Sequence, residues 1–230
     1  MLFRSHYVFR AGLGVLIPAE GGVFLLIDGG ANIDPSPKHI VGFAVMGSVY
    51  YKAVVGGNQA RVGLLNIGTE DVKGHEAVKT ASAIRQKSDL PIKFYGFVEG
   101  DDIGAGTVDV IATDGFPGNV ALKTAEGTAK LVAHFLRTAL THSLLGRIGA
   151  VLASGALRAV RNKLDPRASN GGVFLGVNGL VVKSHGGADE KGVANAVHVA
   201  ARLVEEGLSA RIGEDLARVG PIASEELIAK

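Results

Sequence analysis

Cysteine is absent from the 230 residues. Disulfides, thiolate metal sites and a cysteine nucleophile are therefore excluded, which agrees with a reducing compartment. Charge of one sign is not in excess either. The 24 Lys and Arg against 22 Asp and Glu leave a formal net charge of +2, with no global signature of nucleic-acid binding. No apolar stretch is long enough to span a bilayer. Residues 1–12 carry Arg4, His6 and Arg10 without a small-residue cleavage pattern, so no signal peptide is expected. Several enzyme signatures are missing as well. There is no Gly-x-Ser-x-Gly elbow, and Gly68, Lys73 and Gly74 stand in the wrong order for a Walker A loop. No Gly-x-Gly-x-x-Gly follows a strand, and His75-Glu76 lacks the second histidine of a zincin.

What is present suits a packed domain: 47% hydrophobic and 20% charged residues, with 33 glycines that cluster after apolar runs. The central stretch is 108–127. There the β-branched run Val108–Thr113 meets Asp114-Gly115-Phe116-Pro117-Gly118-Asn119, and a helical pattern follows from about Val120. This reads as a buried strand, a loop over Asp114–Asn119 and a helix N-terminus, an arrangement that favours an anion. Lys123, one turn into that helix, adds a full charge. The same pattern also describes an ordinary strand-to-helix turn.

Strand, loop and helix patterns alternate before it. Strands are expected at Val23–Ile27, Val62–Leu65 and Ile92–Val98, and helices at about His39–Val55 and His75–Lys87. Gly56-Gly57-Asn58 closes the first helix, and Pro91 precedes the third strand. Residues 1–13 show no period, and Glu99–Gly104 reads as a loop. Such alternation predicts a mostly parallel sheet with its strand-to-helix loops on one edge. The loops Asp28–Asn32, Asn66–Glu70 and Asp114–Asn119 should then converge, each offering Gly, Asn and a carboxylate.

Residues 120–164 break the alternation. Helices over about Val120–Thr141 and Leu144–Lys163, ended by Asp165-Pro166, form a hairpin that leaves the sheet. In the second, Leu144, Ile148, Val151 and Leu152 lie beside Arg147, Arg158 and Arg161. That stripe fits either a buried or dimer contact or an anionic membrane surface. Residues 171–186 read as two strands about the Asn178-Gly179 turn, ending at Ser184-His185-Gly186. Asp189 caps a helix over about Glu190–Glu206, and 208–230 look like a last helix with a loose tail. His185 reads as an acid or base or as a structural histidine. Asp101 and Asp102 read as a solvated loop or a metal pair.

Read together, the motifs resemble one family. They run from Leu26-Ile27-Asp28-Gly29-Gly30-Ala31-Asn32 through Phe43–Gly47, Asn66-Ile67-Gly68-Thr69-Glu70, Lys73-Gly74 and Gly96–Gly100. Asp114–Lys123, Glu126-Gly127, Gly171-Gly172, Leu175–Gly179 and Lys183–Gly186 complete the series. This order and spacing is similar to the phosphate acyltransferases of bacterial phospholipid synthesis, the PlsX family. Phe97 stands where many members have Asn and is given no role. Residues 1–13 do not match, and 14–230 read as a single α/β acyltransferase domain. The resemblance also implies a further N-terminal region before Asp28. A truncated chain is therefore expected, with part of the sheet and cleft absent and apolar surface exposed.

The resemblance implies a three-layer α/β/α fold like that of isocitrate and isopropylmalate dehydrogenases, with a protruding helical hairpin. It implies reversible transfer of a fatty acyl group from acyl carrier protein to inorganic phosphate, giving acyl-phosphate, with no cofactor and no metal. Catalytic roles then fall on Lys73, Lys123, His185, Asn66 and Asn119. Phosphate or substrate contacts fall on Asp28, Gly30, Asn32, Gly68, Glu70, Asp114, Gly115 and Gly118. Asn66 and Asn119 would stabilise the oxyanion, and His185 or a lysine would protonate the departing thiolate. The implied partners are acyl carrier protein, a second copy of the chain, a peripheral membrane site and a downstream glycerol-3-phosphate acyltransferase, in the cytoplasm. Competing readings are a dehydrogenase, whose nucleotide and metal sites are not found, a phosphate acetyltransferase, and a non-catalytic remnant that dimerises or associates with membrane.

Overall fold

A hairpin opens the chain: β1 (Gly12–Ala19) runs antiparallel to β2 (Gly22–Ile27), with Val15 opposite Leu26. The computed structural model describes residues 10–57, 59–87, 92–163, 171–208, 210–212 and 214. Helix α1 (Pro37–Val54) follows, then β3 (Arg61–Leu65), α2 (Glu76–Lys87), β4 (Lys93–Val98), a short α3 (Asp102–Ala105) and β5 (Val110–Ala112). The second half contains α4 (Gly115–Thr141), α5 (Leu144–Leu152), α6 (Ser154–Lys163), β6 (Gly172–Leu175), β7 (Val181–Lys183) and α7 (Glu190–Glu205).

The seven strands form one sheet in the order β4-β3-β5-β2-β1-β6-β7. β4, β3, β5 and β2 are mutually parallel, while β1 is antiparallel to both β2 and β6, and β7 to β6. Thus β2 to β6 run one way, and only β1 and β7, each half of a hairpin, run the other. The sheet is mostly parallel, as the alternating pattern predicts.

Two cores sandwich the sheet. On one face Ile27, Val62, Leu64, Val110 and Leu175 pack against α1, Val78 and Ala81 of α2, and Leu203 of α7. Every residue of α1 from Ile40 to Tyr50 is buried, so this helix is apolar on all sides rather than striped. Each large side chain among them contributes roughly 2–3 kcal/mol by leaving water. On the other face Phe24, Leu26, Val98, Val108 and Ile111 form a smaller core under Ile103 and Leu122 of α4. These are the three layers of an α/β/α fold.

Several boundaries differ from the sequence reading. β1 starts at Gly12, inside the stretch without a period. α1 begins at Pro37, because a proline at the first helical position loses no hydrogen bond. Residues 102–105 are a helical turn rather than loop. The expected helix over Leu144–Lys163 is two helices, broken at Ala153 (φ −85, ψ 4) just before Ser154-Gly155, both weak helix formers. The largest correction is that Asp114–Asn119 is not a loop. Asp114 is the N-cap, and the helix starts at Gly115. Asn58, Pro91 and Asp165-Pro166 lie outside the described residues. So does the C-terminal tail after residue 214, although Leu208 and Ile212 are described and join the core.

From Gly127 to Ala139 every residue of α4 is exposed, and neither α5 nor α6 contains a buried residue. α4 thus lies on the sheet for its first three turns and then leaves it. Its outer half, α5 and α6 make a protruding arm.

Candidate active site

The carboxyl edge of the sheet is organised by Asp28, which directly follows β2 and is fully buried. Its Oδ1 accepts N–H groups from Leu13, Gly30 and Ala31 at 2.9–3.1 Å. Its Oδ2 accepts the Asn32 backbone N–H and the Asn32 side-chain amide, both at 2.7 Å. A buried carboxylate needs such partners, and these five donors take up both oxygens. The Asn32 amide also donates to the Ala11 carbonyl at 2.7 Å. Asp28 and Asn32 therefore hold the loop to β1, and their polar atoms face inward rather than toward a ligand.

This loop is clamped onto α4. The Asn32 carbonyl accepts the Gly115 N–H at 2.7 Å. A Cβ at Gly115 would strike that carbonyl, and one at Gly118 would strike the Asp28 carbonyl. Both positions need glycine because backbone meets backbone there. Gly30, at φ +124, lies against Asn119, whose Cβ would be 3.1 Å from a Cβ at position 30. Below the clamp, Thr113 is buried and its Oγ1 has no hydrogen-bond partner.

A helix start offers N–H groups to an anion, but here they are occupied. The Gly115 N–H goes to Asn32, the Phe116 N–H to Asp114 Oδ1 at 3.0 Å, and the Gly118 N–H to the Asp114 carbonyl at 3.1 Å. Pro117 has none. The Asp114 carboxylate itself holds the place an external anion would take. Burial raises its proton affinity above the usual carboxylate range, while the Phe116 N–H and His75 oppose that rise. The N–H groups of Gly115, Phe116 and Gly118, at the expected phosphate loop, are thus bonded within the chain as an internally capped helix start.

The loop after β3 closes in the same manner. The Asn66 side-chain amide donates to the carbonyls of Gly68 and Lys73, both at 3.1 Å, and the Asn66 N–H donates to the Val98 carbonyl at 2.8 Å. Gly74, at φ +93, lies against the Asn66 side chain. Lys73 Nζ sits 2.9 Å from Glu70 Oε1, both half-exposed. Their hydrogen bond lowers the Glu70 proton affinity and raises that of Lys73. Gly68 leaves room for both stems. His75, at the end of this loop, opposes the rise in the Asp114 proton affinity, and Asp34 adds to it.

The remaining candidates gather along α4. Asn119, Lys123 and Glu126 follow at i, i+4 and i+7 and so share one helix face. Because the helix begins at Gly115, Lys123 lies about 12 Å along it, not one turn in. Lys123 Nζ is 2.9 Å from Glu126 Oε2, and His185 Nε2 approaches the same oxygen at 4.0 Å. His185 Nδ1 accepts the Gly187 N–H at 3.1 Å, so the proton of the neutral ring sits on Nε2, toward Glu126. The structure therefore brings Lys123 and His185 to Glu126, with Asn119 on the same helix face by spacing, while Asn66, Glu70 and Lys73 lie in the loop after β3. Sequence reasoning missed Glu126 as a site residue; its spacing of three from Lys123 on a helix was the available signal.

Elsewhere, Asp102 accepts the Glu99 N–H at 2.9 Å and the Thr107 hydroxyl at 2.8 Å, a structural role. Among the described residues no group of three or more His, Asp or Glu could hold a metal ion. On the arm, Leu144, Ile148, Val151 and Leu152 are all exposed, from 51% to 83%. Arg147 Nε donates to the Thr141 carbonyl at 3.1 Å, and Arg158 and Arg161 are exposed. Between Gly127 and Lys163 the sequence contains no Asp or Glu. Among the described residues no helix is long and apolar enough to cross a membrane.

Residues 2–211 match the family model described as "Fatty acid synthesis protein". Curated phosphate acyltransferases of Paramagnetospirillum magneticum and Parvibaculum lavamentivorans are 50% and 51% identical over 224 and 217 residues. Each match covers 94% of this chain and, respectively, 64% and 60% of the relative. The chain thus spans about three fifths of the length of the curated relatives it matches. Among solved structures, a phosphotransacetylase of Staphylococcus aureus, EutD, is similar with a TM-score of 0.51 at 18% identity, over 86% of this chain and 56% of that one. A branched-chain phosphotransacylase of Enterococcus faecalis V583 is similar with a TM-score of 0.53 at 14% identity, over 84% and 64%. At such identities the likeness establishes the α/β/α fold.

Proposed function

Because the chain belongs to the fatty acid synthesis protein family, we propose that it transfers a fatty acyl group from an acyl carrier protein thioester to inorganic phosphate, reversibly, as a step toward phospholipid. The observation that supports this most is the approach of Lys123 and His185 to Glu126 on the face of α4 that also carries Asn119. In this reading the Lys123 ammonium and the Asn119 amide hold phosphate. A phosphate oxygen attacks the thioester carbonyl, and the tetrahedral oxyanion collapses to expel the carbon–sulfur electron pair as thiolate. The departing thiolate is hydrogen-bonded by the His185 Nε2–H and takes up the proton that hydrogen phosphate loses on acylation. The products are an acyl-phosphate and the carrier thiol. Holding the two reactants together supplies most of the rate, through proximity, and each well-aimed donor to the oxyanion adds ~3 kcal/mol.

The arm supports a further part of the reading. Its Lys130, Arg137, Arg147, Arg158, Arg161 and Lys163 face no acidic residue within the arm. Such a surface suits the acidic carrier protein, and its apolar residues suit a second copy of the chain or an anionic bilayer. A contact with glycerol-3-phosphate acyltransferase, which consumes acyl-phosphate, would use the same surface.

The test incubates the chain with an acyl carrier protein thioester and traps acyl-phosphate as the hydroxamate. Hydroxamate that depends on added phosphate supports the reading; none above the protein-free control overturns it. A coenzyme A thioester in a parallel reaction separates the acetyltransferase reading, which requires that substrate to be preferred. Flotation with liposomes at low salt tests the arm: binding only to anionic lipid supports the membrane role, and no binding removes it.

A further inference from the structure

Glu126 poses a problem that the reaction leaves unanswered. A carboxylate beside an anionic nucleophile repels it, yet Glu126 stands on the same face of α4 as Asn119 and Lys123. It is also shielded, with only 27% of its side chain exposed, against 52% for Lys123 and 55% for His185. One oxygen, Oε2, faces both the candidate phosphate ligand at 2.9 Å and the candidate hydrogen-bond donor to the thiolate at 4.0 Å. The opposite ring nitrogen of His185 is fixed by the Gly187 N–H. Gly187 thus fixes the Nδ1 side of the ring, and Nε2 with its proton lies on the side of Glu126, within ion-pair reach of Oε2.

We infer that Glu126 is a positioning residue: it restrains the Lys123 ammonium and keeps His185 with its Nε2 proton turned toward the reacting groups. This rests on the function proposed above for Lys123 and His185. The simpler alternative is a surface ion pair one helical turn apart, which contributes little and has no bearing on chemistry. The two differ in what the charge does. Under the positioning role, losing the carboxylate slows the chemical step while relieving repulsion of phosphate. A structural pair affects neither.

The test uses Glu126→Gln, which keeps the length and helix preference of the side chain, and Glu126→Ala, which removes the acceptor. In acyl-phosphate synthesis, Glu126→Gln is expected to lower kcat about a hundredfold, the scale of one positioned hydrogen-bond donor, while KM for phosphate stays level or falls. Unchanged kcat overturns the inference, and so does a loss seen only as a raised KM. A second readout does not need activity. The nitrogen-15 and proton shifts of the His185 Nε2–H near neutral pH are expected to change in Glu126→Ala, while the Nδ1 shift, set by the Gly187 N–H, stays. An unmoved Nε2–H overturns the inference. If the native chain makes no acyl-phosphate, the proposed function fails, while the shift measurement still decides the role of Glu126 as a restraint.

Discussion

The two halves of α4 are one continuous helix under two different physical regimes. From Gly115 to Glu126 the helix lies on backbone, with Gly115 and Gly118 pressed against the carbonyls of Asn32 and Asp28. From Gly127 to Ala139 all residues are exposed, with Val132 56% and Phe135 62% accessible. Both halves place apolar residues at helical spacing. The pattern fixes the helix but not what covers it: the sheet and its loops in the first half, and in the second only the adjoining α5 among the described residues, which leaves Gly127 to Ala139 exposed. Close approach, not hydrophobicity, distinguishes them.

The sharpest way to break this comparison is one substitution made in each half. Gly118→Ala drives a Cβ into the Asp28 carbonyl, with Thr113 Cγ2 at 2.9 Å leaving no retreat. It should destabilise the fold by more than about 3 kcal/mol, seen as a drop in the urea midpoint. An unchanged midpoint would mean that the clamp is loose. At Gly127 nothing lies within 4 Å of an added Cβ. There the same change should stabilise by about 0.5–1 kcal/mol, through helix propensity and a less free unfolded chain.

Between these extremes lies the loop that the first half of α4 clamps. Asp28→Asn replaces an acceptor of five donors with an amide whose NH2 opposes them. A cost of about 3 kcal/mol is expected by urea denaturation, with α4 still helical by circular dichroism. The contrast with the arm also has a pH signature. Tyr50 in α1 is 1% exposed, and burial pushes its hydroxyl up to about 12 from an ordinary 10.0, with Arg202 opposing. The folded state favours the neutral phenol, so this contribution is whole below pH 10 and is lost as pH rises toward 12. Wild type should lose roughly 2–3 kcal/mol over that interval relative to Tyr50→Phe, by urea midpoints at several pH values.

Much of the fold was legible. The bounds of α1, β3, α2 and α7 lie within two residues of the expected ones, because each carries a clean period and punctuation. Asp189 caps α7 as expected, its Oδ1 accepting the Gly192 N–H at 3.0 Å. The hairpin about Asn178-Gly179 pairs Phe174 with Val181. The first turn of α4 was misread because Gly, Pro and Asn are loop residues in most settings, whereas here Asp114 caps and Pro117 spends no donor. The site was less legible for a related reason. Asp28 and Asn66 carry ligand-like groups, yet their side-chain partners are in their own loops and, for Asp28, also in β1, and only coordinates reveal that. The Glu126–His185 approach is a contact between distant parts of the chain, which no local pattern encodes.

The central claim is that phosphate is held on the face of α4 that carries Lys123, rather than at the capped start of the helix. The most direct measurement is the phosphate dependence of acyl-phosphate synthesis in Lys123→Ala, with Lys93→Ala at the exposed start of β4 as the control. Loss of one charged ligand should raise KM for phosphate or lower kcat/KM by about a hundredfold in Lys123→Ala, with Lys93→Ala like wild type. Full phosphate dependence retained in Lys123→Ala would contradict the account.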